Sequence, residues 1–157
     1  MQERTIQPIL ENLWWIIPQK LAGVRKPNSE ELIDLLTVGI GAIVSVMDDP
    51  SNLELYQTAK LPYLWLPTKG GTAPSKEQID ELIAFVNQQN NLCTGVAVHC
   101  TSGRRRTGTM LAAYLICAGA SAEEALQVIL NANPQVELRD AQIKFLNELA
   151  EQVASPA

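Results

Sequence analysis

The chain has 157 residues, of which 46% are hydrophobic, and a formal net charge of −5. That composition buries one sizeable core and asks for no second domain, so residues 1–157 are read as a single domain. The acidic balance excludes broad nucleic-acid binding, no apolar run approaches the ~20 residues that span a bilayer, and three cysteines in apolar segments exclude a secreted disulfide framework.

Residues 13–17 and 21–23 read as edge strands on either side of Pro18. Asn28 or Ser29 then caps a helix with Leu32, Leu35 and Leu36 on one face. Residues 40–46 form a buried strand, and a short helix over 53–59 leads to a strand at 63–66. Ser75 with Gln78 has the capping-box pattern and opens a helix that turns Ile79, Leu82, Ile83 and Val86 inward. Residues 96–99 are too apolar for a strand with a wet face, which places them at the centre of a sheet. The helix over 107–118 is apolar on every side and stops at Gly119, so it is expected to be buried. Ser121 with Glu124 starts another helix, ended by Asn133-Pro134, and a last amphipathic helix carries Phe145, Leu146, Leu149 and Val153. Such alternation predicts an α/β fold, a three-layer sandwich with a mainly parallel central sheet flanked by helices. Its ligand site belongs beyond the carboxyl ends of the strands, where Cys100 falls.

The stretch from Val96 to Gly108 carries the chemistry: an apolar strand runs into His99-Cys100, a short polar loop and a long apolar helix. A cysteine at a helix mouth meets unpaired N–H groups, the positive end of the dipole and neighbouring guanidinium charge, all of which favour a thiolate. Five residues separate Cys100 from Arg106, enough for the amides of Thr101, Ser102, Gly103, Arg104 and Arg105 to curl inward around one anion. Arg106 closes the ring with a planar fork that binds two phosphate oxygens. The Thr107 hydroxyl is placed to reach back to the sulfur, and His99 to orient the loop rather than move protons. The run Arg104-Arg105-Arg106 reverses the sign of an acidic chain locally, which suits an anionic substrate.

His99-Cys100, five residues, then Arg106-Thr107 resembles the signature of the cysteine-dependent protein tyrosine phosphatases, and within them the small atypical dual-specificity branch. The stretches 12–18, 21–23, 43–46, 65–67, 109–115 and 133–142 are also similar to that group, so the resemblance covers about residues 10–150. It implies a phosphatase-type fold and hydrolysis of phosphotyrosine, extending to phosphoserine and phosphothreonine in proteins, through a phosphocysteine. No metal and no cofactor are expected, since Arg106 and the loop amides supply the positive charge. Phosphate, sulfate or vanadate would occupy the site. A cytoplasmic monomer without a membrane span is expected.

One part of the family pattern is missing. The loop after the strand ending at Leu66 usually carries an aspartate acid, whereas residues 67–74 hold no carboxylate. Asp48 and Asp49, after the 43–46 strand, are the substitutes to weigh against a plain polar turn before Pro50. Glu137 and Asp140 are weaker candidates, equally explained by capping the final helix. Gln142 lies where related phosphatases position water, although periodicity alone also allows a solvent-facing residue. Lys69 reads as an exposed loop lysine, and Trp14, Trp15 and Trp65 as core residues. Arg104 and Arg105 at the rim suit acidic peptides or multiply phosphorylated inositols. The alternatives are therefore a phosphate-binding pseudophosphatase, for want of an acid, or a phosphatase acting on phosphoinositides or inositol phosphates. Cys93 and Cys117 read as structural, with a regulatory disulfide to Cys100 left open, and an accessible thiolate at Cys100 would be peroxide-sensitive.

Overall fold

The structure, a computed structural model, describes residues 7–102 and 104–154. Its sheet has five strands: β1 (Trp14–Ile17), β2 (Leu21–Val24), β3 (Ile40–Ser45), β4 (Tyr63–Trp65) and β5 (Gly95–His99), in the order β1-β2-β5-β3-β4. β2 and β3 flank β5 in parallel and β4 runs parallel to β3, so only the edge strand β1 is antiparallel. The helices are α1 (Ile9–Asn12), α2 (Ser29–Thr37), α3 (Leu53–Thr58), α4 (Lys76–Asn91), α5 (Arg105–Cys117), α6 (Ala122–Ala132) and α7 (Asp140–Ala154).

Strand alternation divides the interior into two cores. On β5, Val96 and Val98 join the core under α4, α5, α6 and α7, whereas Ala97 joins the one under α1, α2 and α3. On β3, Ala42 and Val44 face the first core and Ile43 the second, and a register slip between Ile40 and Ala42 turns Ile40 to the second as well. The expected three-layer architecture with a mainly parallel sheet is what forms.

Three differences from the sequence reading have physical causes. β2 is an interior strand, buried along its whole length, because β1 folds back onto it and β5 pairs with its other edge. Gly23 permits the β1 contact: a Cβ there would lie 2.3 Å from the Trp14 indole. Leu36 is half exposed and Val153 lies at the surface, since Leu32 and Leu35, and Leu146 and Leu149, already fill the inward faces of α2 and α7. α5 starts at Arg105, earlier than apolar periodicity suggested, and Tyr114, Leu115 and Cys117 are only partly covered.

The caps follow the sequence closely. Asn28 with Glu31, Ser75 with Gln78 and Ser121 with Glu124 each make both hydrogen bonds of a capping box. α5 is different: its N-cap is Arg104, whose side chain makes no cap hydrogen bond. The first N–H groups of a helix have no intrahelical partner, and those of α5 begin at the end of the loop that follows the central strand.

Cys93 is exposed, in a left-handed turn after α4, and is not a core residue. β5 separates it from Cys100 by about 20 Å at the rise of a strand, and the length of α5 carries Cys117 about 18 Å from the helix start. Both spans exceed the reach of a disulfide to Cys100 while the fold is intact.

Candidate active site

Cys100 follows β5 at the carboxyl edge of the sheet, 3% exposed, and the loop after it is tied down on both sides. The Val46 N–H donates to the His99 carbonyl at 2.9 Å and the Lys26 N–H to the Thr101 carbonyl at 3.2 Å, so the chains leaving β3 and β2 both grip it. Beneath the loop, His99 is fully buried and sits in a directed chain of hydrogen bonds. The Asn52 amide donates to the Tyr56 hydroxyl, which leaves the Tyr56 proton for His99 Nε2 at 2.6 Å. Nε2 is then the acceptor and Nδ1–H donates to the Cys100 carbonyl at 3.0 Å. This neutral tautomer agrees with a pKa lowered to about 4, chiefly by burial, with the charges of Lys26 and Arg106 acting the same way. Burial likewise raises the Tyr56 pKa, so its proton stays in place.

Arg106 enters the site from the first turn of α5. Its Nη1 donates to the Thr68 carbonyl at 3.0 Å and lies 3.6 Å from the Asp48 carboxylate, and Nη2 reaches Thr101 Oγ1 at 3.5 Å. The other loop arginines turn toward the segment before α7: Arg104 Nη2 donates to Gln135 Oε1 and Arg105 Nε to the Glu137 carbonyl. Together with Arg139 they enclose a cavity of about 360 Å³ whose wall includes Cys100, Ser102 and Glu137. The Thr107 hydroxyl is fully buried with no hydrogen-bond partner among the described residues. The structure therefore leaves the expected bond from Thr107 to the sulfur unmade.

An uncapped helix start, a cysteine at its mouth and inward-facing guanidinium charge form a receptor for a tetrahedral dianion beside a nucleophile. The profile of the Swiss Army Knife protein DSP-PTPase phosphatase domain, PTP-SAK, matches residues 10–154. The chain belongs to this phosphatase family. Solved structures agree: Tk-PTP in its active form superimposes with a TM-score of 0.81 at 28% identity, covering 90% of this chain and 97% of that one. PTPMT1 gives 0.80 at 22% identity, covering 90% and 96%, and human DUSP28 gives 0.75 at 19%, covering 96% and 100%; at these identities the likeness concerns the fold. Among curated proteins, the phosphatidylglycerophosphatase and protein-tyrosine phosphatase 1 of Rattus norvegicus is 33% identical over 85 residues, 54% of this chain and 44% of its own length. The phosphatidylglycerophosphate phosphatase PTPMT2 of Arabidopsis thaliana is 26% identical over 143 residues, 87% of this chain and 63% of that protein. The chain thus spans roughly half the length of these curated relatives.

Within this phosphatase domain the candidate acids separate. Asp49 closes a local turn, accepting from the Ser51 N–H at 2.9 Å, and that hydrogen bonding holds its carboxyl below the usual range. Asp48 lies 3.6 Å from Arg106, and Glu137 lines the cavity that holds Cys100. Asp140 opens α7 and borders an adjoining depression rather than the cavity with Cys100. Gln142 is buried: its Oε1 accepts the Arg139 N–H at 2.9 Å and its Nε2 donates to the Thr72 carbonyl at 3.2 Å. It therefore pins the 67–74 loop to the start of α7, and the solvent-facing alternative does not hold. Lys69 is exposed, and Gly103 lies outside the described residues. Sequence reasoning passed over Asn52, Tyr56, Thr68 and Arg139. Only Arg139 carried a usable signal, as one more arginine in an acidic chain. No trio of His, Cys, Asp and Glu side chains gathers to hold a metal among the described residues, and none of their helices is long and apolar enough to cross a membrane.

Proposed function

We propose that the chain hydrolyses phosphomonoesters through a phosphocysteine at Cys100. The observation that carries the reading is Cys100 at the mouth of uncapped α5, opening into the arginine-lined cavity. In the first step the Cys100 sulfur attacks phosphorus in line, the S–P bond forms and the ester P–O bond breaks, and the leaving oxygen takes a proton from an acid. Arg106 and the amides of Thr101, Ser102, Arg104 and Arg105 hold the three equatorial oxygens. In the second step water attacks phosphorus, the S–P bond breaks, and inorganic phosphate and the Cys100 thiolate are released. His99 holds the loop as a positioning residue.

Asp48 is the proposed acid because it already lies 3.6 Å from Arg106. Glu137 is the second reading, favoured by its place in the cavity wall with Cys100. The curated relatives' names include both a phosphatidylglycerophosphatase and a protein-tyrosine phosphatase activity, so phosphotyrosine and glycerophospholipid monoesters are both proposed substrates.

The test is p-nitrophenyl phosphate hydrolysis in EDTA against pH, for wild type, Cys100→Ser, Arg106→Lys, Asp48→Asn and Glu137→Gln. Cys100→Ser is expected to lose all turnover and Arg106→Lys most of it. The acid's variant is expected to lose the alkaline limb of the pH profile, with a larger loss on an alkyl phosphate than on the aryl ester. Folded wild type that binds phosphate yet turns over neither ester would indicate the pseudophosphatase instead.

A further inference from the structure

The segment that leaves β3 is tied down at every residue before Asp48. The Val46 N–H donates to the His99 carbonyl at 2.9 Å, the Met47 N–H to Ser45 Oγ at 3.4 Å, and the Met47 carbonyl accepts from Trp65 Nε1–H at 2.8 Å. The Asp48 side chain adds nothing to this hold: its carboxylate makes no hydrogen bond among the described residues and only the 3.6 Å ion pair with Arg106. We infer that Trp65 is a positioning residue, which aims the Asp48 carboxyl at the leaving oxygen through the Met47-Asp48 peptide. The inference rests on the phosphatase reading of Cys100 and on Asp48 as its acid.

The link is the planarity of one amide. The Met47 carbonyl and the Asp48 N–H belong to a single rigid plane, so a donor that fixes the oxygen also fixes the direction in which the backbone presents the Asp48 side chain. Asp49 secures the far side: its carboxylate is spent on the Ser51 N–H at 2.9 Å, closing the turn just after Asp48. Asp48 is therefore held by backbone on both sides, and its half-exposed carboxyl is left for chemistry.

The fold gives Trp65 little else to do. β4 is the edge strand and pairs with β3 alone, and neither core takes in the indole, against the sequence reading of Trp65 as a core residue. What the ring does supply is an N–H that donates and cannot accept, the match for a carbonyl. Register brings it within reach. Trp65 lies opposite Ser45, and the Leu66 N–H donates to the Ser45 carbonyl at 2.8 Å, so the indole has to extend only two residues along the neighbouring chain to meet Met47.

The test measures kcat/KM on p-nitrophenyl phosphate, phenyl phosphate and glycerol 3-phosphate. It compares wild type, Asp48→Asn, Trp65→Phe, Trp65→His and the Trp65→Phe/Asp48→Asn double variant. Nitrophenolate leaves without a proton and the glycerol alkoxide does not, so the series reads the acid. Trp65→Phe keeps a ring and loses the donor. It is expected to lower kcat/KM about fivefold more on glycerol 3-phosphate than on p-nitrophenyl phosphate, as one lost hydrogen bond would, with part recovered in Trp65→His. In the Asp48→Asn background the same substitution is expected to bring no further selective loss. Turnover of p-nitrophenyl phosphate reports that each variant has folded, and Trp65→Leu repeats the comparison without the ring. Equal losses on all three esters would leave Trp65 a structural residue and overturn the inference. So would a selective loss that persists in full without the Asp48 carboxyl, because Trp65 would then act on another group. Asp48→Asn alone separates the readings. If it shows no greater loss on glycerol 3-phosphate, the acid assignment falls and Trp65 with it, whereas a selective loss in Asp48→Asn without one in Trp65→Phe overturns the positioning role alone.

Discussion

At the scale of single residues, His99 ties the nucleophile's backbone to the core. Folding lowers its pKa from 6.5 to about 4, so the folded chain favours the neutral ring. This contribution to stability is full above pH 6.5 and declines as pH falls from 6.5 toward 4, below which both states are protonated. The shift corresponds to about 3 kcal/mol lost over that window. Urea unfolding of wild type at pH 7.5, 5.5 and 4 is expected to show the loss, and His99→Asn a flatter acid slope. A wild-type slope equal to that of the variant would remove His99 as its source. The residues of this site were legible in the sequence where they are neighbours in the chain: His99, Cys100 and Arg106 sit on one loop. Tyr56, Asn52 and Thr68 act on that loop from 38 or more residues away, and only the folded sheet brings them to it. The acid stayed open because residues 67–74 lack the expected carboxylate and two others approach from separate elements.

At the scale of elements, what local chemistry decides was readable and what pairing decides was not. Asn28, Ser75 and Ser121 announced their helices because a cap and its N3 partner lie within one turn. The interior place of β2 was hidden because its four residues resemble an edge strand until β5 pairs beside them. Gly23 marks the contact with β1 on the other edge. Gly23→Ala would force the Trp14 indole or β1 to shift, at a cost of about 1–3 kcal/mol or more. Gly70→Ala, with nothing within 4 Å of the new methyl group, is the control and is expected to change stability by less than about 0.5 kcal/mol. Thermal unfolding of both variants checks the contrast, and equal midpoints would remove the close approach of β1 as a constraint.

At the scale of the whole molecule, an acidic chain of net charge −5 concentrates four arginines around one cavity. Anions that fill it bind the folded state alone, so phosphate or vanadate at 100 times its dissociation constant is expected to add about 2.7 kcal/mol to stability. For a chain of this size that raises the melting temperature by roughly 5–10 °C. Scanning fluorimetry of Cys100→Ser with phosphate avoids covalent chemistry and checks this directly. Arg106→Lys should reduce the shift, and a shift that survived in that variant would place the anion elsewhere.

The uncapped start of α5 also bears on how fast the cycle can run. Helix-start amides without an intrahelical partner bind whatever tetrahedral anion is present, and the last such species in each cycle is inorganic phosphate. Its departure re-exposes those N–H groups to water, so the leaving step is uphill by the same interactions that drew substrate in. Turnover in the proposed reaction is therefore self-limiting: accumulated phosphate competes with fresh ester for the cradle, and net flux depends on how quickly the surroundings clear it.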